Sequence, residues 1–236
     1  MTPKGWPLVA FAALAAIVVA SLADAASNSP PGNWDGLTEV KSKSMDLAYL
    51  LPGADFRPYS KVMLDKTVVA FRKDWMKNMS DTRDLSRRID DEDAAQIMAA
   101  AQAGFEDVFE KEFQKAGYAV VTEPGPDVLR VSTGVANLYI NAPDVMGPGR
   151  SRSYTANAGE ATLVLEVRDS RTNTLLGRVV DQRQTRDMVG QASRVTNTAD
   201  FKSLFRQWAG ICTKGLGSLK AISPIPTDLK RKQKLQ

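Results

Sequence analysis

The stretch ATLVLEVRDSRTNTLLGRVVDQRQT, residues 161–185, decides how this chain folds. Ala161, Leu163, Leu165 and Val167 alternate with Thr162, Val164, Glu166 and Arg168, the period of a strand covered on one face. The polar connection Asp169 to Thr174 contains Asn173, a residue that tolerates left-handed backbone angles, and it predicts a turn. Leu175 to Thr185 then returns as the hairpin partner. Its second half, with Gln182, Arg183 and Gln184, is hydrophilic enough to project past a core.

A covered face needs a covering layer, and the flanking sequence supplies one. Upstream, Ala94, Ile97, Met98, Ala101, Phe105, Val108, Phe109 and Phe113 recur at three- and four-residue steps, forming one apolar face of a helix between Asp91 and Gly117. Asp90, Asp91, Glu92 and Asp93 crowd its first turn, where the macrodipole favours negative charge, and Gly117 is a natural stop. These carboxylates read as helix-start residues, since no calcium-loop spacing follows them. Downstream, Phe201, Leu204, Phe205, Trp208, Ile211 and Cys212 share one face of a second helix, expected over 199–219 with Asn197 or Thr198 as its cap.

Between the first helix and the hairpin, Tyr118 to Thr122 reads as a compact strand and Pro124 to Asp127 as a turn. Val128 to Ile140 reads as a long strand with a bulge or bend at Gly134. Ahead of that helix, residues 37–75 hold short β-prone stretches, including a longer strand over Lys61 to Phe71. The aromatics Tyr49, Phe56, Tyr59, Phe71 and Trp75 there read as core. The order is strands, helix, strands, helix, with hairpins in place of alternating βα units. It predicts an α+β fold: a single domain with a mostly antiparallel sheet and two long amphipathic helices packed on one face.

At the N-terminus, a positive start at Lys4 precedes an apolar run from Leu8 to Leu22, and Ala23-Asp24-Ala25 supplies small residues at a cleavage point. That is the build of a secretory signal peptide, and the run is shorter than the roughly 20 residues that span a bilayer. The expected organisation is a signal peptide over 1–25, a flexible leader over 26–36, the α+β domain over 37–222 and a basic C-terminal tail over 223–236. A retained, uncleaved anchor is the competing reading. Trp34 is a candidate for docking on the body. The tail, with Lys230 to Lys234, reads as a solvated end able to touch anionic lipid or cell-wall polymer only weakly.

Composition removes several function classes. There is no histidine, so serine-histidine and cysteine-histidine catalysis are impossible and the commonest imidazole metal ligand is missing. Cys212 is the single cysteine, which excludes an internal disulfide and a cysteine zinc cluster. It reads as a small buried apolar residue. The net charge of +4 is drawn from 31 basic and 27 acidic residues, a mixed surface that gives nucleic-acid binding no support. No dinucleotide fingerprint, P-loop, Gly-x-Ser-x-Gly or Ser-x-x-Lys occurs, so no cofactor and no catalytic residue is assigned. The feature best suited to a function is the long excursion from Asn141 to Gly159, in which Arg150, Arg152 and Tyr154 are candidates for contacting a partner; a flexible loop of no specific use is the competing reading.

The stretch Tyr49 to Asp65 with Val68 to Trp75, together with Gly125 to Val131 and Glu160 to Ser170, resembles domain-of-unknown-function family 3313 of bacterial envelope proteins. The likeness spans Trp34 to Leu219. It implies an envelope setting, many members resembling lipoproteins of Gram-negative bacteria, and it carries over no catalytic residue. This chain departs from lipidated members because no cysteine lies at the cleavage point. The expected protein is periplasmic or secreted and unlipidated, a non-enzymatic binding or assembly component with an unidentified envelope or cell-wall partner. The alternative is a histidine-free envelope hydrolase built on a carboxylate pair or a serine-lysine pair.

Overall fold

The computed structural model describes residues 33–81, 89–141, 153–155, 158–185, 190–192 and 194–235, all within the unit Gly32–Gln236. The signal peptide, most of the leader, Arg150 and Arg152 lie outside the described residues.

The hairpin that opened the sequence reading is the centre of the sheet. Gly159–Asp169 (β9) pairs antiparallel with Leu175–Gln184 (β10), and the turn between them closes as its residues dictate. Asn173 takes φ 59°, and the Asp169 carboxylate accepts hydrogen bonds from the Arg171 and Thr172 amides at 3.0 and 2.8 Å. Asparagine and aspartate favour this turn because one tolerates the left-handed region and the other caps backbone amides locally.

Outward on one side, β10 pairs antiparallel with Leu47–Leu50 (β3), which pairs with Leu37–Val40 (β2), which pairs with the short Asn33–Trp34 (β1). On the other side, β9 pairs antiparallel with Val128–Ile140 (β7). Beyond β7 the sheet changes character. Lys61–Leu64 (β4) and Val68–Phe71 (β5) both pair parallel with β7, and Ala119–Val120 (β6) pairs parallel with β4.

The nine-stranded sheet is therefore mixed, which corrects the expectation of a mostly antiparallel one, while the α+β class fits. The cause is the long helix. A strand that leaves through a helix and returns to the same sheet comes back parallel, and Asp91–Lys115 (α2) is that crossover. The short helix Trp75–Asp81 (α1) precedes it. A separate ribbon pairs Ser153–Thr155 (β8) with Gly190–Ala192 (β11), and Arg194–Ile222 (α3) ends the helical layer.

The expected helix-start chemistry is present. The Asp90 carboxylate accepts from the Asp93 amide at 2.8 Å and Asp93 accepts from the Asp90 amide at 3.4 Å, a reciprocal capping box. Helix α3 starts earlier than expected, so Asn197 lies inside it and does not cap it. The 61–71 segment is two strands, because Asp65, Lys66 and Thr67 leave the ladder between them. The irregularity in β7 falls between Ala136 and Tyr139, where Asn137 takes φ 50°, while Gly134 stays in register with Val164.

Both helices bury their apolar faces in one cluster. Phe105, Phe109, Phe205 and Trp208 meet Leu129, Val131, Val135, Leu163 and Leu165 there. The Phe105 and Phe205 rings meet edge-on at 5.2 Å, a contact between helices that contributes about 1 kcal/mol beyond its area. The early aromatics are core as expected: Tyr49, Phe56, Tyr59 and Trp75 are buried. Trp75 stacks on Phe71 at 3.9 Å and donates its indole N–H to the Ile140 carbonyl. The C-terminal segment corrects the picture of a solvated end. Ile225 and Leu229 are buried, and Lys232 and Gln233 hydrogen-bond along the outer edge of β2.

Candidate functional site

An apolar opening lies between the two long helices. Helix α2 contributes Ile97, Ala100, Ala101 and Gly104, helix α3 contributes Phe201, Lys202 and Phe205, and Leu138 and Ile140 of β7 form the floor. Its volume is about 380 Å³. Cavities of about 300–1,000 Å³ with an apolar lining and few polar groups are the usual form of a small-molecule site. Gln96, Asn197, Thr198 and Lys202 are the polar groups at this one.

The local sequence explains the opening. At Ala100, Ala101 and Gly104 the helix offers a methyl or a hydrogen where large side chains would close the gap to Phe201 and Phe205. A β-carbon built on Gly104 would approach only the Lys202 Cε, at 3.8 Å, so the site has room to be filled. The sequence reading had placed Ala101 on a core face. The missed signal was the alanine run 99–101, with Ala103 and Gly104, opposite phenylalanines on a partner helix.

The groove lies close to the base of the excursion singled out from sequence. Ile140 lines it, and the next residue, Asn141, donates its amide to the Ala158 carbonyl at 3.0 Å, closing the base of that excursion. Of the three candidate contact residues, Tyr154 has a described backbone, paired with Gln191 in the β8–β11 ribbon. Arg150 and Arg152 lie outside the described residues.

A second cavity of about 480 Å³ lies at the carboxyl ends of β4 and β6, against α2. Its lining includes Asp65, Thr67, Glu106, Glu110 and Thr133. Here the polar groups bond to one another. Glu106 accepts from the Thr67 amide at 2.9 Å and from Gln102, the Thr67 and Thr133 hydroxyls share a 2.8 Å hydrogen bond, and Asp65 is held by Arg130 and Ser132. Such mutual engagement knits α2 to the sheet.

On the sheet face away from the helices runs a buried ionic ladder. Glu39, Tyr49, Arg178, Glu166 and Ser132 are successive cross-strand neighbours from β2 to β7. The Arg178 guanidinium donates to Glu166 at 2.5 and 2.8 Å and to Asp35 at 2.7 Å, and lies 4.1 Å from the centre of the Trp34 ring. Trp34 thus docks on the body. Its partner in stacking is a cation held in place by two carboxylates, and Glu166 is also held by Arg168 at 2.8 Å. On the helix face the buried Asp181 accepts from the Trp208 indole at 2.8 Å and from Arg183 at 2.5 Å.

Five aspartate carboxyls are held below their usual value by their neighbours. Hydrogen bonding from Arg57 holds the Asp55 carboxyl below its usual value, and Arg72, Lys111 and Lys61 do the same for Asp74, Asp107 and Asp127. At Asp169, burial pushes the carboxyl upward but bonds from Thr172, Tyr59 and Arg171 outweigh it and hold it down. None of these five would hold a proton at neutral pH for general-acid work. Cys212 is half-buried, and burial pushes its thiol up to about 12 with the Asp181 charge adding to it, so the thiol is neutral at pH 7. Among the described residues no group of three or more acidic or cysteine side chains is placed to hold a metal, and no helix is long and apolar enough to cross a membrane.

Among solved structures, protein XCC0632 from Xanthomonas campestris, of family DUF330, is 13% identical with a TM-score of 0.39, covering 77% of this chain and 93% of its own. The PelC dodecamer from Paraburkholderia phytofirmans is 11% identical with a TM-score of 0.36, covering 70% and 94%. A minor lipoprotein from Acinetobacter baumannii is 10% identical with a TM-score of 0.29, covering 66% and 94%. Likeness at this level carries no functional argument. Among curated proteins none matches the chain at a significant level. The model of the family described as "Protein of unknown function (DUF3313)" matches residues 26–211, and the chain belongs to that family.

Proposed function

We propose that this is an exported, non-enzymatic binding component of the bacterial envelope, and that the groove between α2 and α3 is where it holds an apolar group. The groove carries this reading: an apolar wall of about 380 Å³ is kept open by small residues on one helix, beside the base of the long excursion. Lys202 at the rim favours a ligand whose apolar part ends in an anionic or polar head. Export rests on the build of residues 1–25, and the excursion with Arg150, Arg152 and Tyr154 supplies partner contacts.

The test is to fill the groove. Gly104→Leu projects a side chain into it and replaces the weakest helix former of α2, a gain of up to about 1 kcal/mol in helix propensity. Binding of a fluorescent fatty-acid probe should fall at least tenfold, while the thermal midpoint stays level or rises. Unchanged probe binding in the folded variant would overturn the assignment. So would turnover of an envelope substrate that Asp65→Asn or Glu106→Gln abolishes.

A further inference from the structure

Two basic segments at opposite ends of the domain meet at one sheet edge. The Lys41 amide donates to the Gln233 carbonyl at 3.0 Å, and the Lys232 amide donates to the Glu39 carbonyl at 2.7 Å. The C-terminal segment thereby runs parallel to the end of β2, with Val40 opposite Gln233. Segments 39–46 and 228–234 together hold six basic and three acidic residues, so fifteen residues carry +3 of the chain's net +4. The remaining 221 residues of the sequence together carry +1.

The cations are held in place and face solvent. Lys41, Lys43, Lys230, Arg231, Lys232 and Lys234 are all exposed. Residues 230–233 form a turn in which the Gln233 amide donates to the Lys230 carbonyl at 3.0 Å and the Gln233 side-chain oxygen accepts from the Lys230 amide at 2.9 Å. Arg231 donates to the buried Glu39 at 2.8 Å, and buried Leu229 fixes the chain just before the turn. On the facing loop, Ser42 accepts from the Met45 amide and Arg183 donates to the Ser44 carbonyl at 2.8 Å. Of the acidic groups, Glu39 is spent on Arg231 and Lys232, Asp46 accepts from the Gln182 amide, and Asp228 is exposed.

We propose that this edge is an electrostatic docking surface for an anionic lipid bilayer. Clusters of four to eight lysines and arginines are the size that binds anionic headgroups, each cation near such a surface strengthening binding by about fivefold. The six cations lie on two short segments that meet at this edge, and they line neither cavity described above. A flat array of headgroups matches two adjacent turns better than an extended polyanion does. This inference is independent of the groove: it assigns a surface, not a ligand pocket.

The test is flotation of the exported protein with vesicles of phosphatidylcholine, with and without phosphatidylglycerol. Binding should require phosphatidylglycerol and vanish near 1 M salt, where the screening length is about 3 Å. The quadruple variant Lys41→Ala, Lys43→Ala, Lys230→Ala, Lys234→Ala, which leaves the Glu39 clamp intact, should lose on the order of a hundredfold in affinity. A control with the same net charge, Lys73→Ala, Lys77→Ala, Lys111→Ala, Lys115→Ala, should lose less than tenfold. Equal losses in the two variants would overturn the proposal, as would equal binding to neutral vesicles or binding of soluble heparin without vesicle binding. Fatty-acid probe binding unchanged in the edge variant would separate this surface from the groove.

Discussion

At the scale of single residues, the positions that tolerate least are those where backbone meets backbone. Gly159 begins β9 with φ 151°, and a β-carbon there would lie 1.9 Å from the Tyr139 carbonyl oxygen. No rotamer change can relieve a clash with main chain. Gly159→Ala should therefore destabilise the fold by about 3 kcal/mol or more, read as a lowered urea midpoint. The sequence showed this glycine only as the end of an excursion. Its need for the left-handed side of φ comes from the bulge at Asn137, which brings Tyr139 against it, and a bulge in one strand leaves no mark on its neighbour. By contrast Asn173 was legible, because asparagine in a short polar hairpin turn announces its own backbone conformation.

Elements were legible where their chemistry is local. Helix α2 shows its apolar period, its acidic first turn and its stop without reference to anything else, and the structure adds the reciprocal bonding of Asp90 and Asp93. Asp90→Ala removes that cap and should cost about 1 kcal/mol, measured by chemical denaturation, with the expressed fold unchanged. The start of α3 was less legible: Asn197 resembles a cap, yet it is buried within the helix and the groove uses it. The 61–71 stretch failed for a related reason. Its β-branched and apolar residues suit a strand throughout, and the break at Asp65 to Thr67 is set by partners far away, Arg130, Ser132 and Glu106.

For the whole molecule, the absence of histidine becomes a statement about pH. The carboxyls of Asp55, Asp74, Asp107, Asp127 and Asp169 are held low in the folded state, so the stability they contribute is present above the ordinary carboxylate range and is lost as pH falls through it. The Cys212 thiol has the opposite sign: raised from 9.0 to about 12, it favours the fold fully below pH 9.0 and loses that contribution as pH climbs toward 12. With no imidazole between these limits, stability should be level from about pH 5 to about pH 9 and decline on both sides. Urea midpoints across that range check it. A step between pH 6 and 7 would show that a titrating group outside this account controls the fold.

The sequence by itself determined the class of fold, the two covering helices, the core aromatics, the central hairpin and the exclusion of histidine and disulfide chemistry. These follow from local periodicity and composition, which report whether a face is covered. Tertiary structure alone decided which strands lie side by side. The parallel pairing of β4, β5 and β6 depends on where the α2 crossover returns. The groove exists only because small residues of α2 face phenylalanines of α3, and the basic edge only because residues 41 and 233 meet. A chain records each residue's affinity for a covered or an open surface, whereas partners as distant in sequence as Glu39 and Arg231, 192 positions apart, are chosen by packing the whole.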